Sequence, residues 1–188
     1  MIATIHQPEH LVWLGLIDKI SRADVFVILD TVQFEKNNFQ NRNKIRTNNI
    51  EGWAWLTIPI KKQPFDTKIN TIEISYENDW TRKYLNLLKA HYGKAQYFNY
   101  YYPSIEKIII EKNPLLADLN IKLLCFVLLS FGITKKKLIR SSELNLPEVK
   151  GGTQVNFQIC QKLNATEYIS GPSGKDYLDT NVFSENSI

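Results

Sequence analysis

The most constraining stretch of this chain is Val25-Phe26-Val27-Ile28-Leu29, an unbroken apolar run between Asp24 and Asp30. A strand with one wet face alternates apolar and polar residues, whereas one that is apolar throughout needs cover on both faces, as in a parallel sheet. The preceding residues fit this requirement. Met1 to Ile5 reads as a short buried strand, and Pro8 blocks its continuation. Trp13 to Ala23 has helical spacing, with Leu14, Ile17, Ile20 and Ala23 on one face. The first thirty residues therefore predict a β-α-β unit with a right-handed crossover.

Thr31 to Asn49 is rich in Asn, Gln and Arg and predicts a long loop, the kind that is often functional. Trp53 to Ile60 and Ile69 to Ser75 predict two further strands, joined through a turn at Pro64 and Asp66. Asp79 is placed to N-cap a helix from Trp80 to Tyr92, closed by Gly93. Further helices are expected from Pro103 to Lys112 and from Pro114 to near Gly132, with the aromatic-rich segment Tyr97 to Tyr102 packed between helices. Lys137 to Arg140 predicts a strand, Gly151-Gly152-Thr153 opens a helix to Leu163, and Tyr168-Ile169-Ser170 is a last strand. Strands and helices alternate at both ends of the chain. That pattern predicts an α/β fold: a mostly parallel central sheet flanked by helices, with an inserted β-hairpin and helical segment, in a single domain over residues 1–188.

Composition narrows the classes. Cys125 and Cys160 are the two cysteines, both in apolar helix-like surroundings where thiols serve as small buried hydrophobes. No Cys/His spacing suggests zinc, and nothing suggests a disulfide framework, so a reducing cytoplasm is expected. No signal peptide is read at the N-terminus. The longest apolar run, Leu123 to Ile133, is too short to span a bilayer, so no membrane span is expected. The net charge is +4. The basic residues are scattered, and the cluster Lys135-Lys136-Lys137 complements a helix exit. No base-reading motif accompanies them, so no nucleic-acid partner is expected and an anionic small molecule suits the charge better.

Ligands of open α/β sheets bind beyond the carboxyl ends of the strands. His6 and Gln7 follow the first strand, Asp30 ends the second, Ser141 and Ser142 follow the strand after them, and Ser170 and Gly171 follow the last. His6 and His10 can each serve as a general acid or base near neutrality, or as a capping side chain bonded to a carbonyl. Pro8 argues against a helical metal pair, and no metal ligand set is assigned. Asp30 needs a partner if buried. Arg42 or Lys44 can supply it, or Asp30 can orient His6 and bind substrate hydroxyls. Arg42 can clamp a phosphate or carboxylate bidentately, while Asn41 and Asn43 are binding groups or turn formers. Ser170 to Lys175 has the composition of a phosphate-cradling loop without P-loop spacing. Neither a nucleophile elbow nor GxGxxG occurs, which leaves hydrolases of that type and Rossmann dehydrogenases unsupported.

Four segments, in order, carry a resemblance to a known family: HQPEHLVWLGLIDKI from His6, ADVFVILDTVQFEKNNFQNRNKI from Ala23, WLTIPIK from Trp55 and YISGPSGKDYLD from Tyr168. In these the chain resembles the WbqC-like family. The resemblance implies a bacterial cytoplasmic protein, often encoded among genes for O-antigen, capsule or other surface glycans. Positions carried over are His6, Gln7 and Pro8; Asp30, Gln33, Asn41, Arg42 and Asn43; and Ser170, Gly171, Gly174, Tyr177 and Asp179. Family members commonly continue with a further strand and helix after the last motif, which this chain, ending at Ser187-Ile188, is expected to lack.

The function so implied is modification of a nucleotide-linked amino sugar for surface polysaccharide synthesis, by acyl or aminoacyl transfer. His6 and Asp30 would be catalytic. Gln7, Gln33, Asn41, Arg42, Asn43, Ser170, Gly171, Gly174, Tyr177 and Asp179 would bind the substrate. The partner would be an anionic small molecule, a nucleotide sugar or an activated acyl donor, and no cofactor is singled out. Two other readings stand beside it: a nucleotidyltransferase-like enzyme, since strand, His-containing turn, helix and strand partly match an HxGH signature, and a non-catalytic scaffold of a glycan pathway.

Overall fold

The computed structural model describes residues 1–188. In chain order the strands are β1 (Ile2–His6), β2 (Val25–Ile28), β3 (Arg42–Arg46), β4 (Trp53–Thr57), β5 (Lys137–Arg140) and β6 (Glu167–Ile169). The helices are α1 (Leu14–Arg22), α2 (Trp80–Tyr92), α3 (Phe98–Ile110), α4 (Leu116–Ser130), α5 (Gly152–Lys162) and α6 (Thr180–Ser184). The fold is mixed α/β, with a parallel sheet of four strands and a separate antiparallel hairpin. Contacts divide the chain into two compact units. One comprises Met1–Gln7, Val12–Thr31 and Phe131–Ile188, and the other Pro8–Leu11 and Val32–Ser130. No helix is long and apolar enough to cross a membrane.

The first unit holds the parallel sheet, in the order β5-β2-β1-β6. Every residue of β2 is buried, as its unbroken apolar sequence requires. Val25 and Val27 join Ala3 and Ile5 of β1 in a cluster closed by Ile159 and Cys160 of α5 and Phe183 of α6. Phe26 and Ile28 alternate with them and are equally buried. Asp24 caps the sheet entrance, its Oδ2 accepting from the Ile2 N–H at 2.7 Å. α1 departs from expectation by about one position. Leu14 is exposed, and the inward face is Leu16, Ile17, Lys19 and Ile20. Trp13 is the N-cap, so the helix starts one residue later than its apolar spacing predicts.

The second unit is built on the β3–β4 hairpin and helices α2 to α4. Here the expected long loop over Thr31 to Asn49 is corrected, because Arg42–Arg46 form β3 and pair antiparallel with β4. Ile45 and Leu56 point inward. The outward residues are cations and tryptophans, which is why the strand reads as polar. The segment expected as a second strand, Ile69 to Ser75, is a 3-10 turn at Ile69–Thr71 followed by isolated bridges at Glu73 and Ile74. Its isoleucines Ile69, Ile72 and Ile74 are nevertheless all buried.

α3 begins five residues before Pro103. Phe98 and Tyr102, four apart on one helical face, stack at 4.6 Å and hold the turn upstream of the proline. Tyr102 is buried, but Tyr97, Tyr100 and Tyr101 are exposed, so the aromatic segment is not packed between helices as expected. Cys160 is buried, whereas Cys125 is exposed on α4.

Candidate functional site

The first unit's sheet runs outward from β1 to β2 to β5, then returns to β6 on the other side of β1. A parallel sheet whose order reverses in this way leaves a crevice beyond the carboxyl ends of the two strands at the reversal, where ligands bind. Those strands are β1 and β6, paired in register from Ile2↔Glu167 to Thr4↔Ile169. His6 ends β1. Ser170 and Gly171 follow directly after β6.

His6 Nδ1 lies 3.0 Å from the Gln7 carbonyl oxygen. A carbonyl only accepts, so Nδ1 carries the proton and Nε2 is the unprotonated nitrogen. Burial lowers the His6 pKa to about 4; the Gln7 bond opposes that shift and the Lys19 charge adds to it. The imidazole is therefore neutral at pH 7.

Lys19 is the group that sequence reasoning missed. It is only 6% exposed, and its Nζ donates to the Ile5 carbonyl at 3.1 Å. The same ammonium lies 3.8 Å from where a Cβ on Gly171 would stand. One buried cation thus sits at the carboxyl end of β1, beside both His6 and Gly171. The available signal was a lysine among Leu16, Ile17 and Ile20 on the inward helix face, since lysine is almost never fully buried unless paired.

Asp30 is completely buried. Its Oδ1 accepts from Ser141 Oγ at 2.9 Å and the Ser142 N–H at 3.0 Å, and its Oδ2 accepts from Ser142 Oγ at 2.9 Å. The expected cationic partner, Arg42 or Lys44, is thereby replaced by donors from the turn after β5. Ser141 Oγ also accepts from the Asp30 backbone N–H. Asp30 thus joins the ends of β2 and β5, one residue past Leu29, whose N–H bonds the His6 carbonyl at 2.8 Å.

The last motif is mostly internal scaffolding. Ser170 Oγ donates to the Gly171 carbonyl at 3.1 Å. A Cβ on Gly174 would stand 1.9 Å from that hydroxyl, so Gly174 makes room for Ser170. The Tyr177 ring lies against Gly152, and its hydroxyl accepts from Asn156 at 3.4 Å. Asp179 caps α6 by accepting from the Asn181 N–H at 3.0 Å.

The remaining candidates lie in the second unit. Gln33 donates to the Phe65 carbonyl at 2.8 Å and Asn41 to that of Ile58 at 3.0 Å. Asn43 donates to the carbonyls of His10 and Leu11, at 2.9 and 2.5 Å. Arg42 donates to the Asn37 carbonyl and lies over the Trp55 ring at 3.9 Å. His10 is fully buried between Asn120 Oδ1 at 3.3 Å and the Tyr84 hydroxyl at 3.0 Å. Asn120 Nδ2 donates to the carbonyls of Pro8 and Gln40, so its Oδ1 is the acceptor for His10 Nδ1–H. His10 Nε2 then accepts from Tyr84. With both nitrogens bonded, His10 takes the structural role rather than the acid–base one.

A model of the WbqC-like protein family matches residues 7–188, nearly the whole chain. The chain belongs to the WbqC-like family. It is also similar to the uncharacterized protein Rv1507c of Mycobacterium tuberculosis, 34% identical over 186 residues, which cover 98% of this chain and 78% of that protein. No solved structure matches. The segments by which the sequence resembles the WbqC-like family thus fall in both units. The His6 motif supplies the end of β1 and the buried His10 of the second unit, and the final motif supplies β6 and the turn beyond it.

Proposed function

We propose that this WbqC-like protein binds the anionic part of a nucleotide-linked amino sugar at the carboxyl ends of β1 and β6, and transfers an acyl or aminoacyl group to the sugar amine in surface polysaccharide synthesis. The observation that carries the reading is the buried Lys19 ammonium, held by the Ile5 carbonyl beside His6 and Gly171. An ammonium at the strand-order reversal suits a phosphate. In the reaction the sugar amine attacks the carbonyl of an activated acyl donor. A C–N bond forms, the bond to the donor's leaving group breaks, and His6 Nε2 takes the amine proton. A phosphate beside Lys19 offsets its charge and raises the His6 pKa from about 4, so the base strengthens when substrate is bound. Asp30 fixes the neighbouring strand ends rather than the reacting atoms.

The test is a thermal-shift screen against nucleotide sugars, nucleoside triphosphates and coenzyme A thioesters, followed by transfer assays on the ligands that bind. Stabilisation by a nucleotide amino sugar, with acyl transfer lost in His6→Ala, is the expected result. Unchanged transfer in His6→Ala would remove the base from the mechanism. The order β5-β2-β1-β6, with a histidine at the end of the first strand in the chain, also favours a nucleotidyl-transfer reading. Pyrophosphate release from a nucleoside triphosphate and a sugar phosphate would select it over acyl transfer.

A further inference from the structure

The β3–β4 hairpin carries a surface that the proposed transfer reaction does not use. Strand residues alternate between faces. With Ile45 and Leu56 inward, the register puts Arg42, Lys44 and Arg46 outward, opposite Thr57, Trp55 and Trp53. One face of the ribbon is therefore three cations in a row, interleaved with two indoles. Lys44 Nζ sits 3.9 Å from the Trp53 ring centre and 5.3 Å from that of Trp55. Arg42 lies over Trp55 at 3.9 Å. Phe39, 43% exposed, extends the aromatic row with its ring 6.0 Å from Trp55.

Like charges repeated along one strand repel, and exposed hairpins ordinarily relieve this with opposite charges across the pair. Neither strand contains an acidic residue. Arg42 Nε is in addition buried without a hydrogen-bond partner. The cations stand about 7 Å apart, two strand residues each, which is comparable to successive phosphates of an extended single strand. Cations along a backbone with aromatic rings beside them are what sequence-tolerant single-strand binding requires, since every base has a face to stack.

We propose that this hairpin face binds single-stranded nucleic acid, with Arg42, Lys44 and Arg46 on the phosphates and Trp53, Trp55 and Phe39 stacking on bases. The basic residues read as scattered in the sequence because folding of Arg42–Arg46 into a strand is what aligns them. Its residues are not those of the site proposed on the parallel sheet, and this proposal does not rest on that one.

Fluorescence anisotropy of the full chain with a labelled single-stranded RNA of about twelve nucleotides, a length within the range of such sites, tests the proposal. Neutralising three phosphates gives a log–log salt slope of about −2. Lys44→Gln with Arg46→Gln, both exposed positions that leave the core untouched, is expected to reduce that slope by about 1.4. Trp53→Leu is expected to weaken binding by about fivefold or more with the slope retained, as loss of one stacked base requires. Circular dichroism establishes that the variants are folded. Three results would overturn the proposal: no binding at about 50 mM salt; a sulfated polysaccharide displacing the RNA at equal charge concentration with Trp53→Leu unaffected, which would make the face a plain polyanion site; or binding unchanged in the double glutamine variant.

Discussion

His10 and Asp30 are both fully buried polar side chains, and each is held by donors or acceptors from distant parts of its own unit. His10 is neutral because burial lowers its pKa from 6.5 to about 4. Between those values the unfolded chain binds a proton that the folded chain refuses. Its contribution is therefore complete above pH 6.5 and is lost as the pH falls towards 4, amounting to about 3 kcal/mol. A urea-denaturation midpoint falling through this window, with a shallower fall in His10→Gln, is the expected outcome; an equally steep fall would assign the dependence elsewhere. Asp30→Asn keeps the shape but turns an acceptor into a donor facing the donors of Ser141 and Ser142. It should cost about 1–3 kcal/mol in the same measurement.

At the scale of elements, the turn after β6 makes a sharp distinction between two glycines. A Cβ on Gly174 collides with Ser170 Oγ at 1.9 Å, whereas one on Gly171 meets only Lys19 Nζ at 3.8 Å. Gly174→Ala should lower the melting temperature, with Ser170→Gly restoring part of the loss, while Gly171→Ala should leave it near that of the parent. The parallel sheet was legible in the sequence because an unbroken apolar run admits few solutions, and β2 is buried at every position. The first strand of the hairpin is not legible from period-two alternation of apolar residues. In Arg42–Arg46 the outward positions are cations, two of them over indoles, so only Ile45 marks the core side. Pro103 suggests a helix start, but a stacked aromatic pair carries α3 through it.

For the molecule as a whole, the strand ends that the sequence indicated do lie at one end of the first unit's sheet: His6 on β1, Asp30 after β2, Ser141 after β5 and Ser170 after β6. Which of these are scaffolding was not legible. Ser141 and Ser142 satisfy Asp30 across more than a hundred residues of chain, and nothing local predicts that pairing. Lys19 was hidden for a similar reason, since a lysine on a helix is solvated by default and only the tertiary position of α1 turns it inward. Lys19 is the residue on which the proposed ligand site depends. Lys19→Met removes the donor to the Ile5 carbonyl, so the ligand-free variant is expected to be less stable by about 1–3 kcal/mol.

The most direct measurement is therefore the melting curve of Lys19→Met beside the parent, each with and without a nucleotide amino sugar at about 100 times its Kd for the parent, where binding should add about 2.7 kcal/mol. A folded Lys19→Met protein that no longer responds to the ligand is the predicted result. A variant that responds as fully as the parent would contradict it.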